Sequence, residues 1–420
     1  MKSKLRMAVG LIILALLVTT VPFFGCAPEV KPPPPPVKET TLNIAFTAPC
    51  SGPFAAMAPE FLAGAKDYIQ YANEESLVPG VKFELFTGDT AYTPAKSLSL
   101  YERFKGKDPI FFSTITTTDA EPLTKFLAED KILGLCPSVS VPMISPPGWW
   151  FSTAFFYRHG FAGICRLIDE ELWDWEAKGR PPRLVTIGWD NPLGRHPLEA
   201  KEWVEENTKV EYPLDIIIPF GIADATAELT RIKEAGADYL YMSAGLPEFL
   251  VILKTAAELG LRDKMTFIIS FGQGGFYHVW KSPNILPLIG EVWLPGPYSY
   301  IGEDLPGTNL SRELQQKYHP DKFYETTAYY MPYLVLVAGI EAVKVAIEEV
   351  GLEKLTSADV KAVLESGRAF DTGGITKPFK WGKENRQVDP WVKTFMMTSE
   401  GEVKVVKDWY LCPTVPPLKK

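Results

Sequence analysis

The chain has 420 residues, which suits two domains of ordinary size, and its 46% hydrophobic and 22% charged content is that of a globular protein. The formal charge is −8, and without the first 25 residues 40 basic groups face 51 acidic ones, giving −11. An acidic chain without a basic stripe is poorly suited to phosphate backbones, so nucleic acid is excluded as a partner.

Residues 1–25 read as a signal peptide of the lipoprotein kind. Lys2, Lys4 and Arg6 precede an apolar run from Met7 to Val21, and Gly25 stands directly before Cys26. This ending resembles a bacterial lipobox, which implies acylation of Cys26 and a lipid anchor in the membrane. The alternative is an uncleaved transmembrane anchor. Both readings place the body outside the cytoplasm, in the periplasm or on the outer face of the cytoplasmic membrane. Residues 26–40 hold Pro32 to Pro36. Five successive prolines adopt extended polyproline II, a spacer of about 3 Å per residue. Its use as a recognition ligand for another protein is the weaker alternative. Cys50, Cys136, Cys165 and Cys412 lack CxxC spacing, so no zinc ribbon or thioredoxin-type pair is expected. Buried free thiols fit them better than disulfides.

From Thr41 onward, strand and helix alternate. Leu42 to Phe46 reads as a strand, and the helix after it repeats Phe61, Ala65, Tyr68 and Ala72 on one face. Strands follow at Lys82–Thr87, Ile110–Ser113 and Ile132–Leu135, with helices at Pro94–Phe104 and Asp119–Glu129 between them. After an aromatic segment (Trp149 to Tyr157) the pattern restarts. Strands are expected at Leu184–Trp189, Asp215–Pro219, Tyr239–Met242 and Thr266–Ser270, separated by helices. The fold class is therefore α/β, with two doubly wound parallel-sheet lobes. Ala328 to Val350 reads as a buried core helix rather than a membrane span, because Glu341 and Lys344 interrupt it.

Ligands of open parallel sheets bind beyond the carboxyl ends of the strands. There the sequence offers Thr114, Thr116, Thr117 and Thr118 after one strand, and Cys136-Pro137-Ser138-Val139-Ser140 after another. Hydroxyls and free N–H groups at a helix start suit a carboxylate, although plain helix capping accounts for the same residues. Four scattered histidines, with no HExxH, GxSxG or P-loop, supply no catalytic constellation, and no metal or cofactor is expected.

These features together resemble the extracytoplasmic solute-binding proteins of ABC importers. In particular they resemble the type I periplasmic binding proteins of the leucine/isoleucine/valine-binding family. The resemblance rests on several segments in order: Ile44-Ala45-Phe46 through Ser51-Gly52-Pro53, the hydroxyl cluster before Glu121-Pro122, and Cys136 to Ser140. Further along it rests on Asp190 to Gly194, Glu248 to Gly260, and Phe370 to Gly374 with Phe379 and Asn385-Arg386. It spans about Thr41 to Trp409 and implies three hinge crossovers (type I periplasmic binding protein fold). Residues 41–158 and 298–378 would form lobe one, residues 159–297 and 379–411 lobe two, and 412–420 a tail.

The family's binding positions carry over unevenly. Thr116, Thr117, Ser138 and Ser140 match its carboxylate clamp in chemistry, and Met57 falls at a first-loop position that often carries an aromatic. Leu193 and Gly245 stand where aromatics are usual. Phe271 stands where an acidic residue should hold the ligand's ammonium. The resemblance thus implies a small organic carboxylate with an apolar or aromatic body, with Trp149, Trp150, Phe276 or Tyr277 as further wall. A branched-chain or aromatic amino acid stays open if Glu248 or Asp190 supplies the anchor. The expected protein is no enzyme; it is a monomer that closes on its ligand and delivers it to an ABC permease. The rival readings are a ligand-sensing ectodomain of the same fold and, more remotely, a surface-anchored hydrolase.

Overall fold

The computed structural model describes residues 39–270 and 274–417, with Pro192 and His196 described by their backbone alone. The signal peptide, Cys26, the proline tether and Phe271 lie outside the described residues.

Ten strands come first in the chain: β1 Thr40–Ala48, β2 Val81–Asp89, β3 Pro109–Thr114, β4 Gly134–Cys136, β5 Trp150–Ser152, β6 Leu184–Trp189, β7 Asp215–Ile218, β8 Tyr239–Ser243, β9 Thr266–Ile269 and β10 Val292–Gly296. β1 to β5 form a parallel five-stranded sheet in the order β2-β1-β3-β4-β5. After β10 the chain returns to this sheet. The helix Thr327–Val350 packs on β3, β4 and the helix Ala58–Glu74. β11 (Ala369–Phe370) then pairs with β12 (Phe379–Lys380), and β13 (Trp391–Met397) and β14 (Val403–Leu411) complete the second sheet. Its order is β14-β13-β10-β9-β8-β6-β7.

That second sheet is mixed, not purely parallel: β13 runs antiparallel to both β10 and β14. A hairpin suffices for antiparallel neighbours, so β13 and β14 need no crossover helix. The sequence assigns Phe379 to the second lobe, but the structure ties it to the first. Phe379 pairs with Phe370, Trp381 Nε1 donates to the Ser152 carbonyl at 2.7 Å, and Arg386 pairs with Glu365. The helix expected from Asp119 to Glu129 is broken into Thr117–Ala120, a 3-10 turn at Glu121–Leu123 and Thr124–Asp130. Pro122 lacks the N–H that an uninterrupted helix requires.

Close approach holds the first sheet's cover in place. A Cβ on Gly64 would stand 2.1 Å from the Tyr329 carbonyl oxygen, so only glycine lets the two long helices meet there. The Thr327–Val350 helix is apolar and long enough to cross a membrane, yet most of it is buried inside the protein. The four described cysteines are free thiols, and Cys412 packs against Gly163 instead of bridging to Cys165. Trp150 is fully buried beside Leu127 and Gly134 within the first sheet's core, so it neither faces a ligand nor joins the lobes.

The segment after β14 is pinned at Val415. Its N–H donates to His159 Nδ1 at 3.0 Å, and its carbonyl accepts from Arg158 Nε at 3.1 Å. Burial, with Arg158 adding to it, lowers the His159 pKa from 6.5 to about 4, which keeps the acceptor nitrogen unprotonated. An unfolded histidine binds its proton first as pH falls, so His159 contributes stability above pH 6.5 that is lost on the way down to about 4. The loss amounts to about 3 kcal/mol over that window. Urea titrations at pH 7 and pH 4.5 should show His159→Gln losing markedly less stability than the wild type.

Candidate functional site

β1, β2, β3 and β4 all end at one edge of the first sheet, where their last N–H and C=O groups run out of ladder partners. Two aspartates organise the loops that follow. Asp89, the last residue of β2, accepts from the N–H groups of Cys50 (2.8 Å), Ser51 (3.1 Å) and Ala91 (2.8 Å) through Oδ1. Its Oδ2 accepts from the Ser51 hydroxyl at 2.7 Å. Partial desolvation opposes ionisation of Asp89, but these bonds outweigh it and hold the pKa below the usual value. The loop after β1 is thereby tied to the loop after β2.

Asp119 does the same between the loop after β3 and the segment that follows β2. It is fully buried and accepts from Thr116 Oγ1 (2.7 Å) and Ser97 Oγ (3.0 Å), with Thr90 as a further partner. Burial is the main cause of its raised pKa.

These loops wall a cleft. Of the residues singled out from the sequence, Met57, Thr116, Thr117, Ser138 and Leu193 line it, as does Phe276. The hydroxyls are not equivalent. Thr116 gives its proton to Asp119, and Ser138 gives its proton to the Ile115 carbonyl at 2.8 Å. The Thr117 hydroxyl bonds to no described residue, and the first N–H groups of its short helix have no intrahelical acceptor.

Ser140 is buried behind this wall with its hydroxyl unpartnered, and it does not line the cleft. Gly245 also lies away from the cleft. A Cβ there would meet the Trp189 ring at 2.5 Å, so this position has no room for the aromatic side chain the family pattern suggests. Tyr277 is buried against Tyr300 (4.6 Å between centroids). Trp149 sits beside Lys361, outside the cleft. The two alternative ammonium anchors are engaged elsewhere. Asp190 pairs with Arg195, and Glu248 Oε1 accepts from the Gly221 N–H at 2.8 Å, its other oxygen being buried near Gly245. His278 approaches the Glu325 carbonyl at 3.3 Å through Nδ1.

Sequence reasoning missed much of the wall. Phe54 and Phe61 come from the 3-10 turn Gly52–Met57 and the helix after it, and Tyr92 from the loop after β2. Thr327, Ala328 and Met331 come from the first turns of the long helix. Strand-end position alone would have found Tyr92; the others depend on which helix starts meet the loops. Among the described residues, no Asp, Glu, Lys, Arg or His lines the cleft.

Tyr92 and Ala91 carry positive φ values of 59° and 46°. Left-handed backbone costs a residue with a Cβ roughly 1–2 kcal/mol. The Asp89 bond to Ala91 and a 3.3 Å bond from the Tyr92 N–H to Thr90 Oγ1 hold the turn.

A family model described as periplasmic binding protein matches residues 41–401. Leu/Ile/Val-binding protein homolog 3 of Brucella melitensis is 23% identical over 362 residues, covering 81% of this chain and 91% of that protein. The leucine-, isoleucine-, valine-, threonine-, and alanine-binding protein of Pseudomonas aeruginosa is 21% identical, covering 53% of this chain and 58% of that one. Among solved structures, a branched chain amino acid ABC transporter protein from Thermus thermophilus with bound valine superposes with a TM-score of 0.78. It is 21% identical and covers 89% of this chain and 97% of that one. A fatty acid ABC transporter substrate-binding protein from Thermomonospora curvata gives a TM-score of 0.77 at 14% identity, covering 90% and 95%.

Because Asp89 accepts four hydrogen bonds from two loops, Asp89→Ala should lower stability by about 2 kcal/mol. Urea unfolding at pH 7 measures this, and an unchanged midpoint would show that the loops hold without it.

Proposed function

Since the chain belongs to the periplasmic binding protein family, we propose that it is the solute-binding component of an ABC importer, taking a small organic carboxylate with an apolar body. Residues 41–158 and 298 to about 388 form lobe one in this reading, and residues 159–297 and about 389–411 form lobe two. Cys26 carries the lipid that keeps the protein on the outer face of the membrane, and the closed form hands its ligand to a permease.

One observation carries the ligand class: the cleft has the uncommitted Thr117 hydroxyl and the first N–H groups of its helix but, among the described residues, no acidic side chain in its lining. A carboxylate finds donors there. An α-ammonium does not find a partner, and burying it unpaired costs several kcal/mol. Asp119 stands behind Thr116, already bonded to the hydroxyls of Thr116 and Ser97 with Thr90 as a further partner, and is poorly placed to compensate. Of the two structural neighbours, one has valine bound and the other is named for fatty acid transport. The chemistry of this cleft favours the kind without an amine.

Closure over the ligand works through hinge rotation, with Leu193 and Phe276 supplied from the second sheet's loops. Desolvation of the apolar body supplies the affinity and the donor wall fixes orientation.

Calorimetry with matched pairs tests this. 4-Methylpentanoate should bind at least about a hundredfold tighter than leucine, a difference of roughly 3 kcal/mol. X-ray scattering of the acid complex should give a smaller radius than the free protein. Tighter binding of leucine would overturn the assignment.

A further inference from the structure

We propose that Tyr92 sets the ligand class more narrowly: its ring, backed by the tilted ring of Phe54, prefers an arylcarboxylic or arylacetic acid to a saturated acid of equal size. The inference rests on the cleft being the ligand site. Phe54, Phe61 and Phe276 are nearly inaccessible, whereas Tyr92 keeps part of its surface open to the cleft. The Phe54 and Tyr92 rings lie 4.9 Å apart, tilted by 57°.

The backbone points the same way. Where the adjoining loop needs a left-handed residue it uses glycine, at Gly52 (φ +75°). The turn after β2 instead places a tyrosine in that region, immediately after a left-handed alanine. A turn alone is made more easily by glycine or asparagine. The tyrosine side chain is therefore the feature the strained turn presents.

Both ends of that side chain are held. Its backbone is fixed through Thr90, and its hydroxyl shares a hydrogen bond with the Thr118 side chain. Thr118 adjoins Thr117 on the carboxylate wall, so the ring stands beside the place where an acid group would be seated. A ring attached directly or through one methylene to that acid group meets the Tyr92 ring, which Phe54 supports from behind.

Calorimetry with phenylacetate and cyclohexylacetate tests the proposal on the intact protein. The wild type should prefer phenylacetate by about threefold to tenfold, the range of aromatic pair contributions. Tyr92→Asn tolerates the left-handed backbone and should bring the two affinities together, whereas Tyr92→Phe should keep the preference. If the asparagine variant does not fold, Phe54→Leu removes the other ring without touching the strained turn and should reduce the preference. Equal binding of both acids by the wild type, or a preference that survives loss of the Tyr92 ring, would overturn this inference alone. A wild type that binds neither these acids nor 4-methylpentanoate would overturn the carboxylate reading as well.

Discussion

At the carboxyl edge of a parallel sheet, each loop begins with backbone groups that no longer have a strand to bond. In this protein two aspartates take up that demand. Asp89 gathers three N–H groups and a hydroxyl from the loops after β1 and β2, within 3.1 Å. Asp119, buried without exposure, gathers hydroxyls from three segments. The cleft wall is built on these two carboxylates. Both carboxylates are occupied within the scaffold, and among the described residues the surface they support carries no Asp, Glu, Lys, Arg or His.

This division determines what the hydroxyl-rich loops do. From composition alone, Thr116, Thr117, Ser138 and Ser140 are equivalent donors. In the fold, the Thr116 proton serves Asp119, Ser138 serves a carbonyl 23 residues away, and Ser140 is enclosed. Only Thr117 in this set combines cleft exposure with an uncommitted hydroxyl, beside N–H groups at a helix start. Helix capping thus accounts for Thr116 and leaves the Thr117 hydroxyl free for the binding role proposed above.

Eight strands were legible because each is a short apolar run bounded by Gly, Pro or polar residues, as at Leu184–Trp189, whereas β5, β10, β13 and β14 were not read from the sequence. Which strand ends matter was legible from topology. The sequence could not tell where the hydrogen bonds go, since Asp119 and Ser97 stand 22 residues apart. Nor could it place the Trp149-Trp150 pair, because an aromatic run has the same composition in a cleft wall and in a core. Met331 and Ala328 were read as parts of a core helix, which is correct for the helix; its first turns also reach the cleft. The antiparallel return of β13 was hidden because a strand's residues carry no mark of its direction.

One side of the cleft is tied more firmly than the other. Phe276 follows β9 of the second sheet, yet it bridges to Thr326, and the Thr327 N–H donates to the Gly275 carbonyl at 2.8 Å. Lys281, Tyr300 and Glu325 form a further polar cluster beside it. On the far side, Leu193 bonds within its own sheet, its carbonyl accepting from Ser243 at 3.0 Å. A rotation that opens the cleft costs least if it leaves the Phe276 side intact and parts the Leu193 side. Phe276 then belongs to the fixed wall in chemistry, although its strand belongs to the second sheet. On the proposed reading, a ligand seated on that wall would keep it in the open form and would gain Leu193 only on closure.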